Sequence, residues 1–180
     1  MKPSADEFEK LALEQMDLLY RVACRLTRNS ERASDLVQET YLRAFRSRGK
    51  FDLRDLGIRP WLIRILHNLH VTRADRDRRQ PVAMEAETLD AAPAPAIASA
   101  GFTAADFEHM DERVVKALDE LPEDYRVVLL LWAVEDMSYK EISLAVEIPI
   151  GTVMSRLHRA RQRLSELLRQ FATEEGVIRE

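Results

Sequence analysis

The stretch that decides the predicted fold is residues 138–164, SYKEISLAVEIPIGTVMSRLHRARQRL. Ser138 followed three residues later by Glu141 is the pattern of a capping box, which begins a helix. The segment EIPIG at 147–151 predicts a turn, and a longer helix follows over about 152–171. A short helix, a tight turn and a longer helix together predict a helix-turn-helix, whose second helix enters the major groove of DNA.

The longer helix has two unlike faces. Apolar residues recur on one face at the spacing of a core-facing helix: Val153, Leu157, Ala160, Leu164 and Leu168. The other face carries groups that can donate hydrogen bonds to phosphates and base edges. The residues predicted to contact DNA are Thr152, Ser155, Arg156, His158, Arg159 and Arg163. A surface helix with solvated arginines is the alternative, but the helix and turn that precede it favour DNA binding.

The middle of the chain has a different composition. Residues 81–106 are rich in alanine and proline and show no helical or alternating pattern, which is typical of a linker. Residues 80–111 contain 6 acidic residues and no Lys or Arg, whereas residues 1–79 carry 17 Lys and Arg against 12 Asp and Glu. The net charge of -4 therefore conceals basic regions that can bind nucleic acid.

Both flanking regions have helical patterns. The first predicts three long helices over 5–28, 31–47 and 60–79, where Pro60 suits a first helical turn. With 5 glycines in 180 residues, the chain has too few for the many tight turns of a sandwich or barrel. We predict an all-α fold with a three-helix N-terminal domain, a flexible acidic linker and a C-terminal helix-turn-helix domain, at 1–80, 81–110 and 111–180.

Two motif sets carry a family resemblance. The segment IPIGTVMSRLHRAR, preceded by LPEDYRVVLLLWAVEDMSYKEIS, resembles region 4 of bacterial sigma factors, and DLVQETYLRAFR and RPWLIRILHN resemble region 2. With no other regions and a short linker, the chain is similar to the extracytoplasmic-function (ECF) type. The resemblance implies a dissociable promoter-specificity subunit of RNA polymerase. Its N-terminal domain would read the −10 element and grip the clamp helices, and its C-terminal domain would read the −35 duplex and contact the flap tip.

One face of the second predicted helix is a candidate polymerase contact. An apolar Leu42 among polar neighbours is what the centre of an interface needs. The resemblance assigns the clamp-helix contact to this face, whose members are Asp35, Gln38, Glu39 and Leu42. A solvated face with one stray leucine is the alternative, because exposed leucines are common.

The third predicted helix is a candidate site for the −10 strand. Asn68, Thr72, Arg76 and Arg79 align along it, and an asparagine can read a base edge as both donor and acceptor. The resemblance implies that Asn68 and the loop 49–59 form a pocket for one extruded base. The full −10 set is Phe51, Arg64, Asn68, Thr72, Arg76 and Arg79. A buried amide bonded to backbone is the alternative for Asn68, and Trp61 is predicted to pack in the core.

Other residues of the sequence limit the functions that we expect. Met154 stands where the family usually has Lys or Arg, which removes one donor from the DNA face. No nucleophile–base arrangement or phosphate-binding glycine loop is visible, so we expect no enzyme activity and no cofactor. His67 and His70 lack a third ligand, so no metal site is expected, and Cys24, the single cysteine, is predicted to be a buried thiol.

The expected location and partners follow from the same observations. No apolar run approaches the roughly 20 residues that span a bilayer, and the N-terminus has no apolar signal core, so we expect a cytoplasmic protein without membrane insertion. The resemblance implies core RNA polymerase, promoter DNA and an anti-sigma factor as partners. Two alternatives remain at this point: a stand-alone helix-turn-helix regulator, and a sigma-like mimic that sequesters an anti-sigma factor.

Overall fold

The computed structural model describes residues 2–52, 56–79 and 112–174, without the side chains of 75–79, 112–113 and 171–174. All regular elements in these ranges are helical, which confirms the predicted all-α fold. They are α1 Ala5–Leu13, α2 Met16–Thr27, α3 Ser30–Ser47, a 3-10 turn Arg48–Lys50, α4 Ile58–Arg79, α5 Glu112–Glu120, α6 Glu123–Ala133, α7 Tyr139–Ala145 and α8 Ile150–Glu174. The chain divides into two compact units, with α1–α4 in the first and α5, α6 and α8 in the second.

The first predicted helix is in fact two helices, α1 and α2. An unbroken helix would direct the N–H of Met16 to the carbonyl of Ala12. Instead, that carbonyl accepts the N–H of Gln15 at 3.1 Å and the hydroxyl of Tyr41 at 2.8 Å. The prediction of one helix over 5–28 was therefore wrong, and one partner of the Ala12 carbonyl at the break, Tyr41, comes from α3, 29 residues away.

The helix α3 is placed by its cap and by its apolar stripe. Asn29 caps it, because its side-chain oxygen accepts the N–H of Arg32 at 2.9 Å. The stripe packs α3 against α2 and α4, and it buries Ala33, Leu36, Val37, Thr40 and Ala44. The hydroxyl of Thr40 donates to the carbonyl of Leu36 at 2.7 Å, so this buried polar group is satisfied.

An aromatic cluster forms part of the core of the first unit. The ring of Phe8 lies edge-on to three other rings, with centroid distances of 5.7 Å to Phe45, 5.8 Å to Phe51 and 5.8 Å to Trp61. Such edge-to-face pairs add stabilisation beyond simple burial. The cluster joins α1, α3, the end of the 3-10 turn and α4, and Trp61 packs against the rings of Phe8 and Phe51 as predicted but stays half-buried.

The core of the second unit is aliphatic. Five consecutive residues of α6, 127–131, are buried, as its nearly all-round apolar sequence predicts. The long helix α8 packs against α6 and α5. On α8 the predicted stripe holds for Val153, Leu157 and Ala160, each fully buried, but further along Leu167 is buried while Leu164 is only half-buried.

The predicted capping box and turn are both present. The N–H of Glu141 donates to the Ser138 hydroxyl at 3.3 Å, and the N–H of Ser138 donates to the Glu141 carboxylate at 2.8 Å, so α7 begins as the sequence predicts. Glu147 then adopts a left-handed φ of 53°, and the carbonyl of Pro149 accepts the N–H of Thr152 at 2.8 Å. The helix α8 therefore begins at Ile150, slightly before the predicted start.

Candidate nucleic-acid and polymerase interfaces

The first turns of α8 present a mixed polar and apolar surface. Ser155, His158 and Arg159 are exposed, and Met154 is 52% exposed beside them. Thr152 is half-buried at the start of the helix, and its carbonyl accepts the Ser155 hydroxyl at 3.0 Å. These side chains lie opposite the buried stripe, so the helix has the predicted division between a core face and a free face.

Arg156 is the exception on this helix. Its guanidinium forms an ion pair with the carboxylate of Asp124 on α6 at 2.7 Å, and only 25% of the Arg156 side chain is exposed, against 66% for Asp124. Arg156 is therefore less free than the other predicted DNA contacts, and its role in DNA binding stays a prediction. The carboxylate of Asp124 compensates the charge of Arg156 within the second unit, and this ion pair connects α8 to α6. Asp124 lies 32 residues earlier in the chain, beyond the reach of any helical spacing rule.

The other arginines of α8 differ in how they are held. The guanidinium of Arg161 lies over the ring of Trp132 at 4.9 Å, a cation–π contact to α6. Arg163 lies 3.7 Å from the carboxylate of Glu166, and about half of each side chain is exposed. In the described part of the chain, Arg159 has no acidic partner, so its guanidinium is available to an external anion.

The charge of this segment is uniformly positive. Residues 150–165 include four arginines and no Asp or Glu, and Glu166 is the first acidic residue of α8. A helix face with this composition attracts phosphate groups and raises the rate of encounter with DNA. Its geometry and charge together suit a recognition helix.

The candidate polymerase face lies on α3. Asp35 and Gln38 are exposed, and Leu42 is 52% exposed among them, opposite the buried stripe of the same helix. The carboxylate of Glu39 accepts the Nε–H of Arg43 at 2.9 Å, an i,i+4 pair that the sequence reasoning did not consider, although that spacing signals it. The face therefore combines an apolar centre with acidic and amide groups.

The −10 candidates on α4 fall into two groups. Asn68 and Thr72 are exposed on one side of the helix, and the Thr72 hydroxyl donates to the Asn68 carbonyl at 2.7 Å. The alternative of a buried Asn68 amide is therefore wrong. Arg64 is half-buried. The side chains of Arg76 and Arg79, and part of the predicted loop at 53–55, lie outside the described residues.

Phe51 corrects the predicted −10 set. Its side chain is 1% exposed, and its ring centroid lies 5.3 Å from that of Trp61. It therefore belongs to the aromatic core and cannot stack on a base in this structure. Local sequence does not predict this burial, because Phe51 borders a polar loop and Phe8, one of its partners, is 43 residues away.

Metal and thiol chemistry have no support in the described residues. Among them, no group of three His, Cys, Asp or Glu side chains could hold a metal ion, and no helix is long and apolar enough to cross a membrane. Cys24 is half-buried rather than fully buried. Burial raises the pKa of its thiol, so the thiol stays protonated at neutral pH.

Comparisons with known proteins agree with this geometry. The family model for sigma-70 region 2 matches residues 11–80, and the model for sigma-70 region 4 matches residues 111–164. The chain is 35% identical over 172 residues to the ECF RNA polymerase sigma factor SigE of Mycolicibacterium smegmatis, with 96% of this chain aligned. The alignment spans only 64% of that relative's length.

Two further relatives are matched over most of their length. The ECF RNA polymerase sigma factor EcfG of Rhodopseudomonas palustris is 35% identical, and the alignment covers 92% of this chain and 87% of that protein. The solved structure of the sigma factor RpoE in complex with the anti-sigma factor NepR from Bartonella quintana superposes with a TM-score of 0.69 at 27% identity, over 90% of this chain and 96% of that one. This chain belongs to the extracytoplasmic-function family of RNA polymerase sigma factors.

Proposed function

We propose that the chain is a dissociable promoter-specificity factor, which binds core RNA polymerase and directs initiation by recognising −10 and −35 promoter elements. The observation that carries the proposal is the free face of α8, where Arg159 stands without an acidic partner in the described part of the chain on a segment free of acidic residues. Such a face attracts a polyanion, and promoter DNA is a polyanion with a sequence to read.

The proposed −35 contact uses the first turns of α8. The N-terminal residues of a recognition helix reach base edges, while residues further along hold phosphates. Thr152, Ser155, His158 and Arg159 occupy the first of these positions, and Arg163 occupies the second because its pairing with Glu166 is long and solvent-exposed. Arg156 ties α8 to α6 through its ion pair with Asp124.

The proposed polymerase contact uses α3. Docking would bury Leu42, and the polar side chains of Asp35, Gln38 and Glu39 would surround it as a hydrogen-bonding rim. A central apolar anchor with a polar rim is the usual anatomy of a protein interface. The same helix buries its opposite stripe, so its orientation is fixed before any partner arrives.

The proposed −10 contact uses α4. Asn68 and Thr72 are exposed one turn apart. The amide nitrogen of Asn68 donates to the Glu147 carboxylate at 2.9 Å, and its amide oxygen can accept from a base edge. Arg64, Arg76 and Arg79 on the same helix supply positive charge for the backbone of the strand. Phe51 is left out of this set because it lies in the core.

The remaining parts of the proposal concern organisation and partners. Residues 1–80 bind polymerase and the −10 element, residues 111–180 bind the −35 element and the flap tip, and residues 81–110 connect them. The factor acts in the cytoplasm, catalyses no reaction of its own and needs no cofactor. An anti-sigma factor is its expected inhibitor, by analogy with the RpoE–NepR complex.

Run-off transcription with purified core polymerase on a randomised promoter library tests the proposal. We expect transcripts only when the protein is added, from templates enriched in one −10 and one −35 sequence. Tight duplex binding without polymerase would instead indicate a stand-alone regulator. Binding neither DNA nor polymerase would indicate a mimic that sequesters an anti-sigma factor.

A further inference from the structure

Met154 is an exposed apolar side chain near the start of α8, as is Ile150, which lies four residues earlier and is 44% exposed. It is the fifth residue of α8 and 52% exposed, whereas Met137 in the same unit is 1% exposed. Its exposed neighbours further along the helix, Ser155 and His158, are polar. The thioether therefore adds little to the core, and the fold does not account for a methionine at this position.

The chemistry of the side chain restricts what it can recognise. A thioether has no hydrogen to donate and is a weak acceptor, so opposite a base edge rich in donors and acceptors it would leave those groups unsatisfied. In the major groove, only thymine presents an apolar group, its C5-methyl. A flexible, polarisable methionine packs readily against such a methyl group.

No arginine lies directly beside Met154 on the surface of the helix, although the polar Ser155 and His158 are close to it. Arg156 is held by Asp124 at 2.7 Å, and only 25% of its side chain is exposed. Arg159 lies five residues further along the helix, more than one turn away. A base edge opposite Met154 would therefore contact an apolar thioether rather than an arginine.

We propose that Met154 is a specificity-determining residue that reads the C5-methyl of one thymine in the −35 element. This inference rests on the proposed function, since it needs α8 to lie in the major groove of promoter DNA. It adds the identity of a base, which the proposed function leaves open.

Deoxyuridine provides the test, because it differs from thymidine only by the absent methyl group. Each thymine of the selected −35 element is replaced in turn, and the dissociation constant of the holoenzyme is measured. Removing one buried methyl-sized group costs about fourfold in affinity. We expect this loss at one thymine, and we expect Met154→Ala to make the holoenzyme insensitive to the same replacement.

A matched control and a second variant sharpen the result. Met16→Ala removes a comparably exposed methionine from the first unit, and it should leave the deoxyuridine effect unchanged. Met154→Arg should move the preference at that base pair from T towards G, because arginine forms two hydrogen bonds with guanine.

The outcomes separate the inference from the proposed function. If a −35 element is selected but no thymine in it is sensitive to methyl loss, or if Met154→Ala keeps the sensitivity, the inference is wrong and the function stands. If the library yields no −35 element, both are wrong.

Discussion

The two units expose their candidate sites in different ways. In the second unit, one continuous helix, α8, carries both the buried stripe and the candidate DNA face. In the first unit, the candidate residues are divided between α3, α4 and a loop, and one of them, Phe51, lies in the core. A helical period reports which residues share a face, but it does not report where a loop side chain points.

The arginines of α8 also differ in ways that the helical period does not report. They look equivalent in the sequence, yet Arg156 pairs with Asp124, Arg161 lies over Trp132, and Arg159 has no acidic partner in the described ranges. Packing against α6 therefore gives these arginines different contacts. The second unit carries its candidate site on one helix, whereas the candidate sites of the first unit depend on tertiary packing.

The largest effect is expected in the aromatic core of the first unit. Phe8→Ala should lower the free energy of unfolding of that unit by about 3–5 kcal/mol, because it leaves a cavity beside three rings. Urea titration with hydrogen-exchange mass spectrometry of α1–α4 measures the change. Leu42→Ala, at an exposed position, is the control and should shift stability by less than about 0.5 kcal/mol. A loss below about 1 kcal/mol for Phe8→Ala would contradict the central role of this ring.

The next effect distinguishes two arginines of α8. Arg159→Ala should weaken holoenzyme binding to the −35 element by about 1–3 kcal/mol, the value of a good base contact. Arg156→Ala should weaken it less, and it should instead lower the stability of the second unit by up to about 1 kcal/mol, because a partly exposed ion pair is weak. Equilibrium binding and thermal unfolding of both variants provide the comparison, and the reverse order of binding losses would overturn it.

A similar contrast applies to the polymerase face of α3. Leu42→Ala should weaken assembly with core polymerase by about 1–2 kcal/mol, since the side chain would be a buried anchor in the complex. Replacing Gln38 and Glu39 together with alanine should also weaken assembly. Leu13→Ala on α1 removes a similarly exposed leucine and serves as the matched control. Equal affinity for the Leu42 and Leu13 variants in a titration of labelled core would remove this assignment.

The smallest effect concerns the break between α1 and α2. Tyr41→Phe removes the hydrogen bond to the Ala12 carbonyl and should cost about 0.5–1.5 kcal/mol at neutral pH. Burial, with a smaller contribution from Asp17, raises the pKa of Tyr41 to about 12 from 10.0. The unfolded chain therefore loses this proton first, so the stabilisation is complete below pH 10 and falls as the pH rises towards 12.

The free energy of unfolding, measured from roughly pH 9 to pH 12, where tyrosine ionises, checks the sign of this pH dependence. The wild type should lose stability with rising pH more steeply than Tyr41→Phe. Tyr20, whose pKa is also raised by burial, remains in both proteins and contributes equally. Parallel pH curves for the two proteins would show that the Tyr41 hydroxyl is not held as described.

Much of the fold follows from local sequence. The capping box at Ser138, the cap at Asn29 and the stripe from Val153 to Ala160 depend on residues within a few positions of one another, so periodicity and capping rules predict them. The exposed positions of Asn68 and Leu42 follow from the same helical spacing.

The features that sequence reasoning missed depend on distant partners. At the break after α1 the Ala12 carbonyl bonds to Tyr41, the buried Phe51 ring contacts Phe8, and Arg156 pairs with Asp124. No spacing rule connects residues 29, 43 or 32 positions apart, because only tertiary packing brings them together.

Tethered cleavage of promoter DNA tests the central claim most directly. Because Cys24 is the single cysteine, a Cys24→Ser background allows one iron chelate to be attached at Val71→Cys on α4 or at Ile150→Cys on α8, both exposed positions. In the holoenzyme on a selected promoter, we expect the chelate at position 71 to cut near the −10 element and the chelate at position 150 to cut near the −35 element. Cutting of the same element from both positions, or of neither, would contradict the assignment of the two units to two promoter elements.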